Sequence, residues 1–320
     1  MSHRIPSLAT VAIVSVLAGL AAVPLSAQTE PPYTVVESGE SFGRLQDAIN
    51  AIGNGSGTIR IAAGRHGDCG VQQGGDIRYV AAVPGQSSLE GVVCEGKGAL
   101  VLRGRSARVD GMVFAGHAAA DANGAGIRLE DGNLAVTQSW FHDSQQGIVS
   151  ANDTPGGVIT VDKSTFTRLG NCDGSGCAHS IYGGRFGSLS VTRCRFEQGT
   201  GGHYVKSRTK RVTIESNSFD DTGGRSTNYM IDLPEGAVGR IAGNWFVQGR
   251  NKENHSAFIT IGAEELRNAT DGLTIEGNDA RFAPGLSRTS AFVADFSGAR
   301  ITIEGNTLSE GLTRYERRQR

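Results

Sequence analysis

Seven times along this chain a β-branched residue is followed, five positions later, by a large apolar one. The copies open at Val109, Val136, Val161, Val191, Ile214, Ile241 and Ile303, and close at Phe114, Phe141, Phe166, Phe196, Phe219, Phe246 and Leu308. Ile275 opens an eighth copy whose aromatic, Phe282, arrives two positions late. The eight starts are 27, 25, 30, 23, 27, 34 and 28 residues apart. A period of this size that varies in this way suits a β solenoid, whose turns can differ in length because each repeat contacts only its neighbours.

The fourth position of each copy reads Met112, Ser139, Ser164, Cys194, Asn217, Asn244, Asn278 and Asn306. Small or amide side chains at one inward turn of every coil would stack, each Asn bonding the backbone of the next coil. Cys194 falls in this column and is read as a packed residue, not a nucleophile. The 46 glycines and the low aromatic content, 6%, agree with many turns and short strands. The expected fold is all-β: a single right-handed parallel β-helix of about 8–10 coils with an N-terminal capping helix.

Each copy also carries a second strand after a Gly-rich turn. Because successive side chains face opposite ways, placing Ile127, Ile148, Ile181, Val205, Ile231 and Ile259 inward sends Arg128, Val149, Tyr182, Lys206, Asp232 and Thr260 outward. Adjacent coils lie about 4.8 Å apart, so Tyr182, Lys206 and Asp232 should form a vertical ladder.

Ser41 to Ile52 is the one helical pattern: Phe42, Leu45, Ala48, Ile49 and Ile52 share a face, with Ser41 placed to cap it. Such a helix would cover the open first coil, whose unpaired edge invites aggregation. Residues 58 to 103 read as irregular early coils. The organisation is therefore an export segment over 1–27, an N-terminal segment and cap over 28–57, the β-helix over 58–308 and a basic, frayed tail over 309–320.

The export segment rests on Arg4, an apolar run from Leu8 to Val23, and a small residue, Ala27, at the expected cleavage point. It places the mature protein in a periplasm or outside the cell, without stable membrane insertion. Export permits disulfides, and Cys69 with Cys94 and Cys172 with Cys177 are the candidate pairs. No cysteine or histidine spacing fits zinc. A net charge of −1 provides no broad field for nucleic acid. A monomer is expected.

Several stretches carry a family likeness: the Phe42 to Ala51 helix, Thr58 to Ile61, Gly202 to Arg208 (GHYVKSR) and Tyr229 to Pro234 (YMIDLP). On these the chain, from Tyr33 to Asn306, resembles exported right-handed β-helix proteins of the pectate-lyase-like superfamily. The resemblance implies the fold and a substrate class, uronic-acid polysaccharides cleaved by β-elimination. The Arg and Ca²⁺ pattern of typical pectate lyases is not visible in the sequence, so the resemblance does not extend to pectate as the substrate.

Elimination on a uronic acid needs removal of the C5 proton, neutralisation of the carboxylate and protonation of the departing O4. Lys206 is the expected base, Arg208 the carboxylate partner and Tyr182 the proton donor, with His203 or His179 able to exchange roles with them. Asp232 either orients Lys206 or binds a cation, Ca²⁺ being the only cofactor in view. Tyr204, Arg128, Asn254 and His255 are expected along the substrate groove. Glu264 and Glu265 also line it, or else are solvated loop acids. The partner is an acidic polysaccharide. A C5-epimerase shares the proton abstraction; a glycoside hydrolase would need two carboxylates; a solenoid that only binds polymer needs neither.

Overall fold

The computed structural model describes Met1, residues 30–172 and residues 176–320. The export segment expected over 1–27 lies, Met1 aside, outside the described residues. From Pro31 onward the chain winds into three long sheets of twelve, ten and ten strands. Apart from the antiparallel strands Tyr33–Val35 and Ser41–Phe42 at one end, every pairing between the named strands is parallel. The result is a right-handed parallel β-helix.

The repeat explains the interior. Phe114, Phe141, Phe166, Phe196, Phe219 and Phe246 are fully buried and stack face to face with centroids 4.8, 5.0, 4.8, 4.8 and 4.9 Å apart. That spacing is the distance between hydrogen-bonded strands. In the irregular copy Ala280 pairs with Phe246, and the displaced Phe282 packs against Phe258 at 6.0 Å instead.

The amide column forms a continuous hydrogen-bonded ladder. Asn244 Oδ1 accepts from the backbone N–H of Asn217 (3.0 Å) and from its Nδ2 (2.9 Å), while Asn244 Nδ2 donates to the Ile214 carbonyl at 2.8 Å. Asn278 and Asn306 repeat the pattern, and Cys194 donates its N–H to Asn217 Oδ1 at 2.8 Å. Burial pushes the Cys194 thiol up to about 12, in keeping with a packed side chain. Asn244→Ala would strand the buried Asn217 N–H and Ile214 carbonyl. At about 1–3 kcal/mol for each buried group left unpaired, a clear drop in the denaturation midpoint is expected. Asn306→Ala, at the half-exposed end of the column, should cost less.

Four expectations need correction. The helix is Leu45–Ile52, not one starting at Ser41, which instead pairs with Thr34 in the antiparallel edge. Its N-cap residue, Arg44, provides no side-chain cap; Asp68 from the next coil accepts the Leu45 N–H at 2.7 Å. Residues 58 to 103 are irregular only in sequence, for Ser56–Ile61, Asp76–Ala81 and Ser106–Asp110 pair in unbroken register. The tail is not frayed throughout: Leu312–Arg317 is the last strand of the third sheet, paired with Ser290–Asp295.

Candidate active site

The third sheet carries the outward column in the expected register. Arg128 pairs with Val149, Val149 with Tyr182, Tyr182 with Lys206, Lys206 with Asp232, and Asp232 with Thr260. Tyr182, Lys206 and Asp232 therefore stand on three successive rungs, and Arg208 emerges two residues beyond Lys206.

Lys206 is mostly buried, with its side chain 13% exposed, and meets two carboxylates. Its Nζ lies 3.4 Å from Asp232 Oδ2 and 3.1 Å from Glu264 Oε1. Arg208 donates through Nε to Tyr182 Oη at 2.8 Å. Its Nη1 lies 2.8 Å from Glu235 Oε1 and 2.7 Å from Glu264 Oε2. Tyr182 in turn donates to Asn152 Oδ1 at 3.0 Å. Glu264, half-exposed on the loop after Ala257–Ile261, thus bridges the two cations with one carboxylate.

The three acids differ electrostatically. Partial burial raises the Glu264 carboxyl, but the Arg208 hydrogen bond and the Lys206 charge outweigh it and hold it below the usual range. Glu235 is likewise held low, against its burial, by hydrogen bonds from Arg185 and Arg208. Asp232 goes the other way: desolvation lifts it to about 6 in spite of Lys206. Its Oδ1 is buried without a hydrogen-bond partner among the described residues.

Other expected participants stand elsewhere. Tyr204 is a core residue, 2% exposed, whose Oη donates to Asp221 Oδ1 at 2.8 Å; its ring lies between Phe196 and Phe219. It precedes the strand Val205–Ser207, where the turn directs it inward despite its parity with Lys206. Asn254 supports the site indirectly, donating to Tyr229 Oη at 2.8 Å, and the Tyr229 ring sits 5.7 Å from that of His203. His255 is exposed, and its carbonyl accepts from Ser290 Oγ at 2.8 Å. Asp232 does not suit Ca²⁺, which takes six to eight oxygens, because the Lys206 ammonium and His203 Nε2 (3.6 Å) face the same carboxylate oxygen. The sulfurs of Cys69 and Cys94 are 2.06 Å apart and those of Cys172 and Cys177 2.09 Å.

Two concavities flank the Tyr182–Arg208 pair. One, of about 240 Å³, has Tyr182, His179, Asn152 and Arg128 in its wall. The other, of about 350 Å³, is walled by Arg208, Arg185, Glu235, Lys210 and Arg267.

No family model matches the sequence, and no curated protein matches it. Among solved structures, an alginate lyase from Paenibacillus sp. str. FPU-7 superposes with a TM-score of 0.65 over 85% of this chain and 94% of that one, at 16% identity. The PL6-family alginate lyase AlyGC aligns with 81% of this chain and 40% of that one, at a TM-score of 0.47 and 16% identity. The likeness is one of fold. It agrees with the parallel β-helix expected from the repeat.

Within this β-helix the two histidines form the floor of the site. His203 donates its backbone N–H to His179 Nδ1 at 3.1 Å, and the rings are 4.9 Å apart. Desolvation, then the charges of Lys206 and Arg208, push His179 down to about 3, and burial carries His203 well below its usual value too. Both rings are thereby kept uncharged near pH 7 beneath the two cations. A His whose folded value lies below its unfolded value of about 6.5 favours folding above that pH and loses the contribution as pH falls toward 3. The thermal midpoint should drop over that window, and His179→Asn should flatten the drop. An unchanged slope in the variant would remove His179 from the account.

Sequence reasoning missed Glu235 and Arg185. Arg185 binds Glu235 through two nitrogens, at 2.9 Å (Nε to Oε2) and 2.7 Å (Nη2 to Oε1). Both residues sit in turns after the strand, outside the alternating pattern. The only hint was the position of Glu235 just beyond YMIDLP.

Proposed function

We propose that this protein is an exported polysaccharide lyase that cleaves a uronic-acid polymer by β-elimination on the outer face of the third sheet. The observation that carries the reading is the Glu264 carboxylate held between Lys206 and Arg208. A uronate carboxylate entering the groove would take the same place, bonding the Arg208 fork as Glu264 swings out on its exposed loop.

In the proposed step Lys206, after its ammonium proton has passed to water, takes the C5 proton as the neutral amine; the C5–H electron pair becomes the C4=C5 double bond, and the C4–O4 bond breaks. Tyr182 gives its proton to O4, and the Arg208 guanidinium steadies the phenolate that remains. A hydrolase would need two free carboxylates about the bond, whereas Asp232, Glu235 and Glu264 are all engaged with cations. The two disulfides suit an oxidising compartment.

The test is incubation of the purified protein with mannuronan, guluronan, galacturonan and glucuronan, followed by ultraviolet absorbance of the new C4=C5 bond. One polymer should yield unsaturated ends. Reducing ends without the double bond would overturn elimination in favour of hydrolysis. If instead the sugar configuration at C5 is inverted without cleavage, the enzyme is an epimerase. Glu264→Gln should lower KM for the cleaved polymer, because the neutral amide competes less well for Lys206 and Arg208.

A further inference from the structure

Arg128 Nε is buried without a hydrogen-bond partner among the described residues. Its nearest acid, Glu130, lies 3.4 Å from that nitrogen. Glu130 is already taken by Lys97 at 2.8 Å and Arg103 at 2.6 Å. Glu95, the other acid of the group, also pairs with Lys97 and Arg103. Three cations thus share two carboxylates, and Arg128 carries the unbalanced charge.

Gln146 stands in the wall of the same 240 Å³ concavity. It is 3% exposed, its Nε2 donates to Asn123 Oδ1 at 2.7 Å, and its Oε1 is buried with no partner among the described residues. Leaving a buried polar atom unmade costs about 1–3 kcal/mol. Here Arg128 and Gln146, each carrying one buried unpaired atom, line one cavity without pairing with each other. Such a pair matches a ligand that brings both an anionic acceptor and a hydroxyl donor. Tyr182 lines the same space, so that ligand would sit directly beside the proposed reacting bond. The concavity on the far side has no such feature, since Arg185 and Arg208 there are bound to Glu235.

We infer that the concavity formed by Arg128, Gln146, Asn123 and Asn152 is a subsite for one uronic-acid unit adjacent to the cleaved bond. Arg128 binds its carboxylate and Gln146 Oε1 accepts from one of its hydroxyls. The inference rests on the proposed elimination only for its placement beside the reacting unit. The coulombic and hydrogen-bonding match stands on the concavity itself.

The test is calorimetric binding of tetramannuronate, tetraguluronate and tetragalacturonate, and of their carboxyl-reduced counterparts, to the full chain carrying Lys206→Ala. Adding Arg128→Met should weaken the acidic tetrasaccharide that binds by about 10- to 100-fold, the range for a charge-assisted hydrogen bond. It should leave the neutral counterpart unchanged. Arg128→Lys should fall between, because a point charge cannot reproduce the fork. Gln146→Met should weaken acidic and neutral chains alike. The Arg128 side chain is tied to its surroundings only by the long 3.4 Å contact with Glu130 among the described residues, so its variants should unfold near the parental temperature. Equal binding of the acidic chain with and without Arg128→Met would overturn the subsite, as would no binding of any acidic chain. If binding depends on Arg128 but the wild type never forms an unsaturated product, the subsite stands and elimination falls. Cleavage with an unchanged KM in Arg128→Met would leave elimination standing and remove the subsite.

Discussion

Lys206→Ala is expected to lower turnover of the cleaved polymer by on the order of 10²–10⁴-fold, the usual contribution of a positioned acid–base group. Tyr182→Phe, which keeps the ring and removes only the hydroxyl, should cost a similar factor. The two groups stand on neighbouring rungs, and Arg208 ties the phenolic oxygen to the Glu264 bridge that also holds Lys206. They are expected to serve one concerted step, so the double variant should be little worse than either single one. Steady-state kinetics on the responsive polymer, with circular dichroism to confirm folding, would check this. Full turnover in folded Lys206→Ala would move the chemistry away from this face.

Lys252→Met should destabilise the protein by about 3–5 kcal/mol, the cost of leaving a buried charge without its partner. Both side chains of the Lys252–Asp221 pair are fully buried, 3.0 Å apart. Burial pushes the Lys252 ammonium down, and Asp221 only partly restores it. Asp221 also accepts from Tyr204 Oη (2.8 Å), Thr227 Oγ1 (2.8 Å) and the Gly249 N–H (3.1 Å). The pair pins the long Arg250–His255 insertion onto the coil beneath it. Denaturant titration would measure the loss, and hydrogen exchange should show it first in that insertion. Wild-type protection there would show that other contacts hold it.

What could be read from the sequence depended on periodicity. Tyr182, Lys206 and Asp232 align because strand alternation and coil register are both written in the repeat, and the phenylalanine and asparagine columns follow from the same rule. Turn residues obey neither period. Glu235, Arg185, Asp221 and Lys252 all lie in connections of unequal length, where no spacing says which side chain folds back on which. Tyr204 fails for the related reason that parity ends where the strand does. Glu264 was legible only as a groove acid, since its reach across to Lys206 and Arg208 depends on the path of one loop. Asp68 was invisible as a helix cap because it arrives 23 residues after the N–H it receives.

Each functional group on the outer column is fixed to a backbone rung, and rungs stay about 4.8 Å apart. Such a surface works as a ruler with immovable graduations: it cannot stretch to suit a polymer of different pitch. New preferences must instead arise by changing which graduation bears an acid, a base or a ring, or by lengthening the loops that overhang it. Insertions such as Arg250–His255 can therefore vary while the graduations beneath them keep their spacing.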